Sequence, residues 1–137
     1  LYNSAAAGGK RIYLDYLLLS PKAAGTNGTN FSFAMSGDRI NRYSSGGTAI
    51  TPVNPNMDSD ATSVATMFAG AITAAAAGAS VRRLNPGIPL EGTTQAALHV
   101  PCPPVVLGPG HSFLFHEMAA SQSVAATWEF AMGWFER

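Results

Sequence analysis

Toward its C-terminal end the chain reads Val105-Val106-Leu107-Gly108-Pro109-Gly110-His111-Ser112-Phe113-Leu114-Phe115-His116, and this segment constrains the fold more than any other. A short β-branched run meets Gly-Pro-Gly, and a second apolar run comes after it. Proline fixes φ and glycine admits φ > 0, so the backbone reverses there instead of continuing. Beyond the turn, residues 112–118 and 123–135 are rich in Phe, Trp, Val and Thr, side chains that suit a pleated, half-buried surface. A chain that ends in turn-bounded runs of this kind, the last of them long and aromatic, predicts strands packed as a β-sandwich.

The rest of the chain carries the same punctuation. Lys10 opens a strand in which Ile12, Leu14, Tyr16 and Leu18 fall on one face and Tyr13, Asp15, Leu17 and Leu19 on the other. Both faces are apolar, which predicts a central strand covered on each side, with Asp15 as a hydrogen-bonded structural acid and Ser20-Pro21 as the end. Residues 22–30 lack periodicity and predict a loop. Phe31, Phe33 and Met35 alternate with Ser32, Ala34 and Ser36, a strand with one apolar face. Gly37-Asp38 predicts a turn, residues 40–43 a short strand or its continuation, and Ser44-Ser45-Gly46-Gly47 another turn. Residues 49–53 form a weak strand broken by Pro52, and residues 54–60 a loop.

Residues 62–79 satisfy two periods. Val64, Met67, Phe68, Ala71 and Ile72 have helical spacing, whereas Val64, Thr66, Phe68 and Ile72 also fit a period of two. Gly70, the recurring threonines and the strand-like surroundings favour strand. Residues 80–84 predict a strand ended by Asn85-Pro86-Gly87, and Pro89 and Gly92 keep the next stretch irregular. Residues 97–100 begin a strand that Pro101, Pro103 and Pro104 terminate or confine to an edge. The expected fold is all-β: a jelly-roll-like antiparallel β-sandwich of about eight strands, with residues 1–137 as one domain and 1–10 as an N-terminal arm.

Charge and composition narrow the function. Eight basic and eight acidic residues cancel, and 12% of the 137 residues are charged, about half the usual fraction. A neutral chain has no electrostatic footprint for nucleic acid and no basic helix to hold a membrane, so neither is expected as a partner. No apolar run reaches the roughly 18 residues of a membrane span. Cys102 is the single cysteine, which rules out an intramolecular disulfide. Its setting between Pro101 and Pro103 predicts an inert, partly buried thiol.

Few residues point to chemistry. His111 and His116 lie five apart on one predicted strand, hence on opposite faces, and cannot share a metal. His99 could approach one of them with Glu117 or Glu91, but the His-x-His pair of a metal-binding β-barrel does not occur. No Gly-x-Ser-x-Gly elbow and no phosphate-cradling glycine loop is present. The acids Asp15, Asp38, Asp58, Asp60, Glu91, Glu117, Glu129 and Glu136 are too scattered to nominate a pair. The chain is therefore expected to be no enzyme and to use no cofactor or metal. Arg82 and Arg83, on opposite sides of a strand, predict salt bridging or subunit contact. Trp128, Phe130, Met132 and Trp134 share one face of the last strand and predict core, with Trp134 and Phe135 the best candidates for a subunit interface.

The opening Leu1-Tyr2-Asn3-Ser4-Ala5-Ala6-Ala7-Gly8-Gly9-Lys10-Arg11-Ile12-Tyr13-Leu14 is similar to the start of small structural proteins of tailed-bacteriophage virions. Leu107-Gly108-Pro109-Gly110-His111-Ser112-Phe113 and Ala126-Thr127-Trp128-Glu129-Phe130 resemble the same group. Residues 73–79 and the prolines of 101–104 depart from it. The resemblance implies a jelly-roll capsid cement, or decoration, protein on the outer surface of the virion, made in the host cytoplasm. Its implied partners are the major capsid protein and further copies of itself, as a homotrimer. The alternative is a receptor- or carbohydrate-binding head of a tail fibre or lectin-like module, using residues 22–30 or 54–60.

Overall fold

A computed structural model describes residues 1–23, 31–74, 82–90, 98–100, 104–119 and 127–137. These residues contain no helix. They form β1 (Tyr2–Asn3), β2 (Ile12–Ala23), β3 (Phe31–Asp38), β4 (Tyr43–Ile50), β5 (Ala65–Ala74), β6 (Arg82–Leu90), β7 (Leu98–Val100), β8 (Val106–Leu107), β9 (Ser112–Ala119) and β10 (Thr127–Glu136). The larger sheet runs β4-β5-β1-β9-β3-β6 and the smaller β10-β2-β7, with β8 also paired to β2. Every pairing is antiparallel. Because β10 lies along the whole of β2, β7 and β8 share the other edge of β2 end to end, at Leu17–Leu19 and Ile12–Tyr13.

The two sheets face each other across an apolar core, so the molecule is an antiparallel β-sandwich. Ile12, Leu14, Leu17 and Leu19 of β2 meet Met35 of β3, Ala65 of β5 and Phe113 of β9, with Val105 and Leu107 closing one end. Trp128, Phe130, Met132 and Trp134 of β10 pack against this cluster from the edge, as their shared face predicts. The ambiguous stretch 62–79 is strand over Ala65–Ala74; its remainder, 75–79, lies outside the described residues. Here partners on both sides of β5 supply the backbone hydrogen bonds, and tertiary pairing outweighs the helical propensity of alanine.

Strict alternation fails along β2, for a visible reason. Gly133 pairs with Tyr16 and Trp134 with Leu14, so Asp15 is one residue too many. Such a bulge shifts the side-chain parity by one. Ile12 and Leu14 point inward before it, and Leu17 and Leu19 point inward after it. The strand is thus covered on one face, not on both. Tyr16 and Leu18 are about two-fifths exposed on the other face. Asp15, expected as a hydrogen-bonded structural acid, is exposed at the bulge itself.

Glycine and proline punctuate less than they promised. Ser44-Ser45-Gly46-Gly47 lies inside β4 and not in a turn, because both glycines take positive φ (78° and 72°) where the β4–β5 register shifts. A Cβ on Gly46 would fall 2.6 Å from the Ala71 carbonyl oxygen, so β5 passes where only glycine fits. The chain reverses at residues 39–42, overlapping the stretch 40–43 read as strand, whereas Gly37-Asp38, read as a turn, ends β3. β2 runs through Ser20-Pro21 to Ala23, and Pro21 pairs with Trp128 beyond the reach of β7. β6 runs through Asn85-Pro86-Gly87. Asn85 and Ile88 oppose Met35 and Phe33, so the Pro-Gly pair sits in a bulge on the outermost strand of the sheet, the place where a missing N–H is tolerated.

The start of the chain is no free arm. β1 fills the gap between β5 and β9, with Tyr2 opposite Thr66 and Ser112. The Phe113 N–H donates to the Leu1 carbonyl at 2.7 Å, and the Leu1 amino group donates to the Phe113 carbonyl at 3.0 Å. Burial pushes the pKa of that amino group down to about 6.

Candidate functional site

Three polar clusters stand out, and in each the bonds serve the fold. Asn3, fully buried, donates through Nδ2 to the carbonyls of Lys10 (2.8 Å) and Leu107 (3.0 Å), and its Oδ1 accepts from the Ala5 N–H (2.9 Å). Its backbone bonds the other side of the Gly-Pro-Gly turn, at Gly110 and His111. This one side chain locks the corner where the chain leaves β8 in the small sheet for β9 in the large one.

The second cluster closes the β3–β4 turn. Arg42 donates through Nε to Asp38, and both side chains are buried. Asp38 also accepts the Ile40 N–H at 3.3 Å. Ser112, opposite Asp38 in the register, donates to the Ile40 carbonyl (2.7 Å) and accepts from the Arg42 N–H (3.3 Å).

The third ties the sheets together at the end of β10. Glu136 accepts hydrogen bonds from the Ser63 hydroxyl, the Val64 N–H and the Trp134 indole N–H, with Lys10 4.0 Å away. Burial alone would raise its pKa, but these donors and the lysine outweigh it and hold the carboxyl below its ordinary 4.5. The charged form is therefore favoured by the fold. Its contribution to stability is complete above about pH 4.5 and fades as pH falls through the lowered folded-state value. Glu136→Gln should cost about 1–2 kcal/mol at pH 7 and flatten the loss of stability between pH 5 and 3, measured by urea unfolding across that range.

The outside of the molecule is where apolar groups gather without cover. On the open face of the small sheet, the rings of Tyr13 and Phe135 stack at 5.0 Å, and the Arg137 guanidinium lies 5.0 Å over Phe135. Tyr16, Leu18 and Val106 extend the patch. The Tyr16 ring covers Gly133, where a Cβ would come within 2.1 Å of it, so the glycine exists to seat the ring. A second apolar feature is the loop of residues 51–64. Val53 and Met57 project from it, 83% and 89% exposed. The loop is set by its own side chains: the Asn56 N–H bonds Asn54 Oδ1, the Asp58 N–H bonds Asn56 Oδ1, and the Ala61 N–H bonds Ser59 Oγ. The side-chain oxygens of both asparagines are engaged with the loop's own backbone.

Under the β3–β4 turn lies a shallow pocket of about 30 Å³, lined by Leu1, Tyr2, Arg42, Tyr43, Phe68 and Leu114 among others. Two of the lining rings, Tyr43 and Phe68, stack at 3.8 Å between centroids. It has room for roughly one water, far short of the ~300 Å³ at which small-molecule sites begin.

The residues singled out by sequence do not converge. His111 precedes β9, in the Gly108-Pro109-Gly110 turn, with its ring against Gly108. His99 lies in the small sheet opposite Leu18, and His116 in the large sheet opposite Ala34. Cys102, Glu91 and the loop 24–30 lie outside the described residues. Among the described residues no three His, Cys, Asp or Glu side chains group as a metal site, and no helix is long and apolar enough to cross a membrane. Trp134 packs into its own core, whereas Phe135 is 44% exposed. Arg82 and Arg83 sit opposite Gly37 and Ser36 on the outermost strand. Sequence reasoning missed Val53 and Met57. The available signal was two apolar residues among turn-forming Pro, Asn and Asp, in a segment that the core cannot reach. Comparison with protein-family models, with curated proteins and with solved structures finds no match to this chain.

Proposed function

We propose that this chain is a structural protein of a tailed-bacteriophage virion, a cement that binds the assembled capsid shell on its outer surface and stabilises it. The observation that carries the reading is the placement of apolar surface. Val53 and Met57 stand out on a loop whose shape is fixed in advance by its own hydrogen bonds. A loop backbone already held in one conformation loses little entropy on docking, and large apolar side chains exposed on it gain from burial against a partner. The near-neutral surface suits the same role, because few charges need to be desolvated when broad faces meet. Binding the closed shell and not its dissociated subunits would stabilise it by mass action.

The test is cosedimentation of the purified protein with particles that lack it, followed by thermal challenge of the particles. Added protein should saturate the shell and raise the temperature at which the particle opens. Val53→Asp with Met57→Asp should leave the fold intact and weaken particle binding by about tenfold or more. Particles equally heat-resistant with and without the protein would end this reading.

A further inference from the structure

A β-sandwich has sheet edges, and an open edge is a template for another strand. Among the described residues the two sheets have four edges, and three of them are blunted. β4 is interrupted by the Gly46 and Gly47 bulges. β6 carries Pro86 and Pro89 and two register shifts. The β7 and β8 edge is made of pieces three and two residues long. The fourth edge is β10, ten residues with no proline and no lysine. Both of its pairing irregularities place the extra residue on β2 (Asp15 and Lys22), so β10 itself runs unbroken. Among the described residues no strand pairs with its outer side.

We propose that β10 pairs antiparallel with β10 of a second copy of this chain, about a two-fold axis at Gly133, joining the two small sheets into one. The register is set by three constraints. Directly opposed residues share a face, so core-facing Phe130, Met132, Trp134 and Glu136 must oppose one another and not the outward-facing odd residues. Arg11 and Arg137 exchange both backbone bonds, which turns the N–H and C=O groups of odd residues toward β2 and those of even residues outward. A pairing centred on Gly133 sets Trp134 opposite Met132, Glu136 opposite Phe130 and Phe135 opposite Ala131, each satisfying outward backbone groups or matching a face. It also sets Arg137 opposite Glu129, twice by symmetry. Centring on Met132 sets both charges opposite neutral residues, Phe135 and Thr127, and centring on Ala131 sets Glu129 opposite Gly133 and carries Arg137 beyond the start of the partner strand. Glu129 already meets Lys22 of its own chain at 2.6 Å, and its second oxygen remains for the arginine. With the axis at the residue lacking a side chain, the two Tyr16 rings flank it and the Tyr13–Phe135 stacks continue across both copies on the open face.

This pairing does not depend on shell binding, and it makes a two-fold unit where the resemblance implies a threefold one. The test is the mass of the full chain in solution, by light scattering on a sizing column from about 1 to 100 μM. Twice the chain mass is expected. Arg137→Glu should raise the dimer dissociation constant about tenfold or more, and Arg137→Glu with Glu129→Arg should restore it, since both positions are exposed and the swap keeps the complementarity. Hydrogen exchange should show the amides of Phe130, Met132 and Trp134 protected in the dimer and fast on dilution. A monomer at 100 μM, a trimer, or an Arg137→Glu variant that dimerises like the parent would overturn the proposal. A trimer would do so while leaving the shell-binding reading intact, and a dimer that ignores shells would do the reverse.

Discussion

Asp38→Ala should destabilise the protein by about 3–5 kcal/mol, the cost of leaving one member of a buried ion pair without the other. Arg42 and Asp38 are both buried, and the arginine that survives the substitution keeps its charge there without that carboxylate. The Ile40 N–H also loses its acceptor. Domains of this size are stable by only about 5–15 kcal/mol, so the loss is a large share of the total, roughly 10 °C or more in midpoint. Urea denaturation at pH 7 reads it directly. Asp38→Leu with Arg42→Met, which removes both charges, should recover most of the loss. A single variant within about 1 kcal/mol of the parent would mean that water reaches the pair.

Asn3→Ala should cost about 3–6 kcal/mol, for a different reason. The side chain makes three hydrogen bonds to backbone groups at Lys10, Leu107 and Ala5, and it is wholly buried. Alanine leaves those groups unpaired, at ~1–3 kcal/mol each for any that water cannot reach. Asn3→Asp keeps the acceptor for Ala5 but places a carboxylate against two carbonyl oxygens, and should be at least as damaging. The damage should be local as well as global. In native-state hydrogen exchange, the amides of Gly110 and Phe113, which bond the Asn3 and Leu1 carbonyls, should open before those of Leu17 and Leu19, because the lost side-chain bond to the Leu107 carbonyl is one that seats the Gly-Pro-Gly corner on the N-terminal strand.

The course of each strand was legible wherever local chemistry decided it. Gly108-Pro109-Gly110 had to turn, and it does. Trp128, Phe130, Met132 and Trp134 had to face inward together, and they do. The sandwich arises from that grammar, since an alternating strand can hide its apolar face only against a second sheet. The candidate site was less readable. Phe135 could be picked out as exposed aromatic surface, but Tyr16 and Leu18 were assigned to a covered face, because no local signal marks Asp15 as an extra residue. It is extra only by count against Gly133 and Trp134, more than a hundred positions away.

The same division holds for the rest of the molecule. Composition and periodicity by themselves determined that this protein is a near-neutral all-β sandwich with its last strand packed on the core. Tertiary structure alone decided which apolar side chains are left outside, that Ser-Ser-Gly-Gly and Asn-Pro-Gly run within strands, and that the first three residues fill a gap in a sheet. The physical reason is that side-chain period and turn propensity act over a few residues. Register, bulges and edge exposure are set by which distant strand lies alongside, and that is fixed only when every backbone donor and acceptor finds its partner.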